Sequence, residues 1–312
     1  MGAIHDLITQ EGKQSALRGD VRREVVEAAA AFMADEDAGT GFLYAGWCQT
    51  ALPHKRLRDD QAWQVTAENI TLIVETGSRP GPASAPVPTP VGVPYGARAR
   101  LILLYLQSEA LRTSSPHVEL GKSMRAWLAR VGVPVGGSSV AMIRDQAERI
   151  SLCRLTFRFT RGSDVALLNQ HIVDAALFLA DEDGRGRFAS SARLSDGFYR
   201  QLRLHSVPLQ ESAIRAIANN SQALDIYAWL AYRLHALPRP TPITWLALKA
   251  QFGLGVARMD HFRPLFLASL QLAMAVYPAA DVVVGDSGVT LRPSPPPVPP
   301  RQPTRQGRLD GL

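Results

Sequence analysis

The chain has 312 residues, 46% of them hydrophobic and 20% charged, enough to bury a sizeable core without disulfides or metals and long enough for two domains. Its formal net charge of +6 permits a polyanionic partner without demanding one. Cys48 and Cys153 are the only cysteines, which excludes a disulfide scaffold and an all-cysteine metal site and leads us to expect a reducing compartment.

The opening stretch, MGAIHDLITQEGKQSALRGD, has no long apolar run behind a basic one and does not read as a signal peptide. Asp6 stands where a myristoylation signal needs Ser or Thr. Every apolar run is broken well short of the ~18 residues that suggest a membrane span. A soluble, cytoplasmic protein with no membrane partner is expected.

Val21, Val25, Ala28, Ala29 and Phe32 recur at helical spacing between Val21 and Met33. FLYAGW and ITLIVET read as strands, and HKRLRDD between them as a solvated turn. Residues 1–76 are thus expected to form a small mixed α/β segment. The run GSRPGPASAPVPTPVGVPYG, residues 77–96, reads as a linker because proline removes backbone donors and glycine disfavours an ordered element.

From Ala97 the pattern becomes helical, with Leu101, Leu104, Tyr105, Ser108 and Leu111 in phase. GKSMRAWLARVG follows as a shorter helix with Met124, Trp127, Leu128 and Val131 inward. SSVAMIRDQAERI gives a third, with Ser138 or Ser139 as its cap and Val140, Ile143, Ala147 and Ile150 on one stripe. That stripe leaves Ser138, Met142, Asp145 and Arg149 outward and Arg144 at the border. The period then drops to two in LCRLTFRFTRG, with Arg154, Thr156 and Arg158 opposite Leu155, Phe157 and Phe159, and HIVDAALFLADE is the expected partner strand. Three helices and a hairpin follow the order of a winged helix, with the third helix as major-groove reader.

The same order recurs. VPLQESAIRAIANN reads as a short helical start, SQALDIYAWLAYRLHAL and TPITWLALKAQFG as helices, ARMDHFRPLFLASLQLAMAVYP as a long helix beginning near Asp260 or Arg263, and DVVVGDSGVTLRP as a hairpin. Trp229 and Trp245 are expected in the core, and Tyr227 and Tyr232 as packing residues. The fold class expected is α+β: tandem winged-helix domains over 97–188 and 189–293, preceded by the mixed segment and followed by a disordered tail over 294–312.

Charge favours nucleic acid as the partner of the first unit. Between Ala97 and Arg161 stand eleven basic residues against four acidic ones, a surplus of seven. Arg149 can reach guanine or phosphate, Ser138, Ser139 and Arg144 suit phosphate and the first base edges, and Arg154 and Arg158 suit backbone contacts. In the second unit Arg258, His261 and Arg263 can meet DNA near the start of the last helix. GVPVGGSSV lacks the lysine of a phosphate loop, and the seven histidines form no H-x-H or H-E-x-x-H, so no enzyme, cofactor or metal is expected.

The strings GFLYAGWCQTALPHKRL, PYGARARLILLYLQSEALRT, ELGKSMRAWLARVGVPVGG, IRDQAERISLCRLTF, NQHIVDAALFL and VYPAADVVVGDSGVTLRPSPPP together resemble the plasmid-encoded RepA family of replication initiators. The resemblance spans about Gly41 to Pro295. It implies sequence-specific binding to repeated double-stranded origin DNA, local duplex opening, recruitment of host initiator and replicative helicase, and dimerisation for autorepression. The residues alone leave two other readings open: a plasmid transcriptional regulator that does not open an origin, and a structural or protein-interaction module.

Overall fold

The computed structural model describes residues 3–35, 39–84, 86–120, 129, 133, 137–161, 164–180 and 187–299. The chain opens with α1 (Ala3–Glu11), α2 (Lys13–Ala16) and α3 (Arg23–Ala34), the last burying Val25, Val26, Ala28 and Ala29 as its period requires. FLYAGW divides into β1 (Thr40–Tyr44) and α4 (Ala45–Gln49). Gly46, Trp47 and Cys48 are buried in succession, which one face of a strand cannot achieve and a helical turn can. β2 (Trp63–Ala67) and β3 (Ile70–Glu75) then form an antiparallel pair.

The proline- and glycine-rich run is not a linker. It contains β4 (Gly77–Arg79) and β5 (Thr89–Gly92), paired antiparallel, with Val91 and Val93 buried. After α5 (Gly96–Arg112) and the short β6 (His117–Glu119) comes α6 (Gly137–Leu152). The expected helix GKSMRAWLARVG lies outside the described residues, apart from Ala129. The folded β4–β5 lobe lies on α6: a side chain at Gly77 would come within 2.2 Å of the Leu152 carbonyl oxygen.

β7 (Arg154–Arg161) alternates as its sequence predicts, burying Leu155 and Phe157 and exposing Arg154 and Arg158. Its pairing differs from expectation. β7 is an interior strand between β3 and β8 (Asp164–His171) in a sheet of order β2-β3-β7-β8. HIVDAALFL instead supplies β9 (Val173–Ala180), which pairs with β10 (Arg187–Leu194). Both edges of β7 are already taken, one by the N-terminal segment through the register Leu72↔Phe157. Phe157 is fully buried and meets Tyr44 and Trp47 edge-on at 5.4 and 5.2 Å, so β7 also anchors β1 and α4.

Beyond β10 lie α7 (Asp196–Leu204), β11 (Ser206–Gln210), α8 (Glu211–Ala216) and α9 (Ser221–Arg233). VPLQ is therefore strand, paired with β1. β12 (Thr241–Thr244), α10 (Trp245–Phe252), α11 (Met259–Ala275), β13 (Val282–Gly285) and β14 (Gly288–Leu291) complete the order. Thr244 caps α10 by accepting from the Ala247 N–H at 3.2 Å. Trp229, Trp245, Phe252 and Phe266 are core residues, as is Tyr227, whose hydroxyl oxygen accepts from the Gln210 N–H at 3.1 Å. Two three-stranded sheets, β6-β10-β9 and β12-β14-β13, share one strand order. The tail begins later than expected: Ser294 is buried, its N–H bonds the Leu234 carbonyl, and Pro295 accepts from the Tyr277 hydroxyl at 2.6 Å. No described helix is long and apolar enough to cross a membrane.

Arg100 of α5 ties these parts together. Its guanidinium donates to both carboxylate oxygens of Asp225 on α9, at 2.6 and 2.7 Å, and to the carbonyls of Leu52, Pro53 and Gly96. The two side chains are only 9% and 10% exposed. Removing one partner of such a pair strands a buried charge, so Asp225→Ala should cost roughly 3–5 kcal/mol in chemical denaturation. Arg23→Ala, which breaks an exposed pair with Glu27, should leave the denaturation midpoint nearly unchanged; equal losses would contradict the tie.

His54 lies beside this pair, its Nδ1 2.9 Å from the Ser221 hydroxyl. Burial first, and the Arg100 charge second, push its pKa down to about 4 from 6.5, with Asp225 opposing. Between those values the unfolded chain binds a proton that the folded chain refuses. The stability held above pH 6.5 should therefore fall as pH drops toward 4, and His54→Gln should flatten that part of the melting-temperature profile.

Candidate nucleic-acid interface

The arginines read as DNA contacts occupy three different environments. Arg149 does not face solvent: its side chain is 3% exposed. Its Nε donates to the Asp145 carboxylate at 2.9 and 3.0 Å, and an Nη donates to Asp59 at 3.1 Å. The guanidinium also lies 5.4 Å from the centre of the Tyr95 ring. Burial opposes ionisation of Asp59, but hydrogen bonds from Arg56 and Arg149 hold its carboxyl below the ordinary value.

This correction shares a cause with that of the linker. The segment leading out of β5 covers the flank of α6 that an amphipathic wheel assigns to water. Gln146, also buried, accepts from the Tyr95 N–H at 2.7 Å, and Arg79 of β4 pairs with Glu148 at 2.6 Å. At Gly92, where φ is +76°, a Cβ would sit 2.1 Å from the Arg149 guanidinium, so glycine is needed for both conformation and space. The i, i+4 pair Asp145–Arg149 and the alternating apolar residues Val91 and Val93 are the sequence signals that reveal this docking.

The N-terminal half of α6 includes exposed side chains. Ser138 and Ser139 fall in its first turn, Ala141 and Met142 are exposed, and Arg144 is half-buried. Arg154 and Arg158 do project from one face of β7, as their alternation requires. Arg154 donates to Asn169 at 2.8 Å and lies 3.8 Å from Glu75. Arg158 is exposed and makes no ion pair among the described residues. Both stand on the four-stranded sheet, not on the β9–β10 hairpin.

In the last unit α11 starts at Met259 with Arg258 at its N-cap, which places Pro264 in its second turn on the solvent side. Arg258 and Asp260 pair through two contacts, 3.0 and 2.5 Å. Arg263 lies over the Trp245 ring at 5.3 Å, and His261 is exposed. These three cluster at one helix end, apart in sequence from the α6 group and the β7 arginines.

This scaffold is of the mixed α+β class, with two helix-and-hairpin units that share a strand order and carry exposed cations. Residues 93–245 match the family RepA_C, plasmid encoded RepA protein. The match begins at the segment docked on α6 and ends at the start of α10. Among solved structures, the crystal structure of selenomethionine derivatives of domains 2 and 3 of RctB is similar with a TM-score of 0.47 and 10% identity, over 78% of this chain and 92% of that one. A second structure of RctB domains 2–3 gives 0.45 and 9%, over 78% and 93%. No curated protein matches.

The different surroundings of Arg149 and Arg158 predict opposite phenotypes. Arg149→Ala removes the donor that joins Asp145 to Asp59 and undocks the 93–95 segment, so it should lower the melting temperature and reduce DNA affinity only in proportion to unfolding. Arg158→Ala should leave the melting temperature unchanged, weaken matched and scrambled duplexes alike, and reduce the salt slope by about 1. A folded Arg149→Ala protein with selectively altered base preference would overturn this assignment.

Proposed function

We propose that this protein is a plasmid replication initiator that binds repeated origin DNA through two winged-helix units, promotes local duplex opening and recruits host replication proteins. The observation that carries the proposal is the RepA match over residues 93–245. The recurrent order supports the winged-helix reading. α9, β12, α10, α11 and the β13–β14 hairpin follow the helix, strand, helix, helix, hairpin order, and β12-β14-β13 has the equivalent strand order to β6-β10-β9. In the first unit this equivalence makes β9–β10 the wing and β7–β8 an insertion that joins the N-terminal segment.

The proposed base-reading surfaces are the N-terminal half of α6, including Ser138, Ser139 and Arg144, and the first turns of α11, including Arg258, His261 and Arg263. Arg154 and Arg158 act on phosphate. Such contacts position the duplex and set affinity, while the helix faces select sequence. The initiator acts by binding, without catalysis or cofactor, in the cytoplasm. Host initiator and helicase are its proposed partners, and a homodimer its repressing form.

Selection of bound duplexes from a random pool, followed by affinity measurements over a salt series, tests the binding. A preference of about 10³ or more over scrambled duplex, with a steep salt slope, is expected. Permanganate reactivity of thymines near the bound repeats tests the opening. Specific binding without new thymine reactivity would leave a transcriptional regulator, and no enriched sequence would refute DNA reading altogether.

A further inference from the structure

On the solvent face of α11, His261, Pro264, Leu265 and Ala268 fall at the i, i+3, i+4, i+7 spacing of one stripe. It is unusual chemistry for a base-reading helix. Leu265 is 53% exposed, Pro264 is exposed and Ala268 half-buried, while Phe262, Phe266 and Leu270 are buried on the other side. Two polar side chains border it on the same face, Gln271 one turn beyond Ala268 and Asp260 at the helix start, the latter held by Arg258. The flanks are cationic: Lys249 and Arg263 form no ion pair among the described residues, and Arg258, paired with Asp260, lies at the helix start. An apolar ridge bordered by unpaired cations is complementary to a polyanion whose interior carries apolar groups.

Of the base edges in the major groove, only thymine presents an apolar group, its C5 methyl. We propose that α11 reads thymine methyls, with Leu265 as the principal specificity-determining contact and Pro264 and Ala268 beside it. Arg258, Arg263 and Lys249 hold the flanking phosphates. This rests on the proposed reading of α11 as a DNA-contacting helix and names what it selects: a segment of A·T pairs with thymines set by the strand that faces Leu265. Cytosine at those positions loses the methyl and gains an amino group that the ridge cannot satisfy.

The test uses the full-length protein and the duplex enriched from a random pool. Each thymine is replaced in turn by deoxyuridine, which removes the methyl and keeps the pairing edge. One or two positions should lose about three- to tenfold in affinity, the scale of a buried methyl group. Leu265→Ala should erase that difference, and Leu265→Met, which keeps an apolar contact, should retain most of it. Leu265 is exposed, so melting temperatures of both variants should stay within about 1 °C of the parent, consistent with a surface substitution.

Specific binding with every deoxyuridine neutral would overturn the inference while leaving the initiator reading intact. A uridine effect that persists undiminished in Leu265→Ala would place the methyl contact elsewhere and also overturn it. Unchanged DNA affinity in Leu265→Ala, with a shift in sedimentation, would assign the ridge to protein contact instead. Failure to enrich any duplex would remove this inference together with the function on which it rests.

Discussion

The buried contact between Arg100 and Asp225 fixes how the parts of this protein meet. Arg100 stands on the first helix of one unit and Asp225 on the first helix of the next. The same guanidinium holds the carbonyls of Leu52 and Pro53 from the N-terminal segment. A charge so enclosed is tolerable because every side of it is answered by an acceptor. The placement of α5 against α9 then depends on one planar group, whose five donors in fixed directions lysine cannot reproduce.

Arg149 extends the same logic to the proposed reading helix. By binding Asp145 within α6 and Asp59 across the interface, it fixes the C-terminal half of the helix against the β4–β5 lobe. In the other half Ala141 and Met142 are exposed. Two residues counted in the basic surplus of this region, Arg100 and Arg149, therefore serve internal architecture, and the charge available to a polyanion is smaller than composition suggests. Among the described residues Arg158 on β7, and Lys249 and Arg263 beside α11, make no ion pair.

Much of the fold was legible in the sequence because its elements obey their periods. The third and fourth residue spacing in α3, α5 and α6, the alternation of β7 and the glycine turn between β13 and β14 all describe local geometry. Pairing was less accessible. Nothing in the alternation of β7 says whether its neighbour is β9 or the pair of β3 and β8, since each is an apolar strand of suitable length. The wheel through α6 failed at Arg149 because it equates polar with outward, whereas a polar side chain with a complete set of partners can face inward. The 77–96 run misled for a related reason: proline and glycine forbid long regular elements but allow the short pair β4–β5, and Val91 and Val93 supply the burial that holds it. In the tail, Ser294 and Pro295 are fixed by hydrogen bonds that composition does not signal.

The central claim is that one molecule reads duplex DNA with two separate helix surfaces, one on α6 and one on α11. Base-modification interference on the selected site measures this directly, compared between the parent and His261→Ala. The account predicts two distinct clusters of interfering bases, of which His261→Ala alters only the one assigned to α11. A single cluster, or two that weaken together when His261 alone is changed, would contradict it.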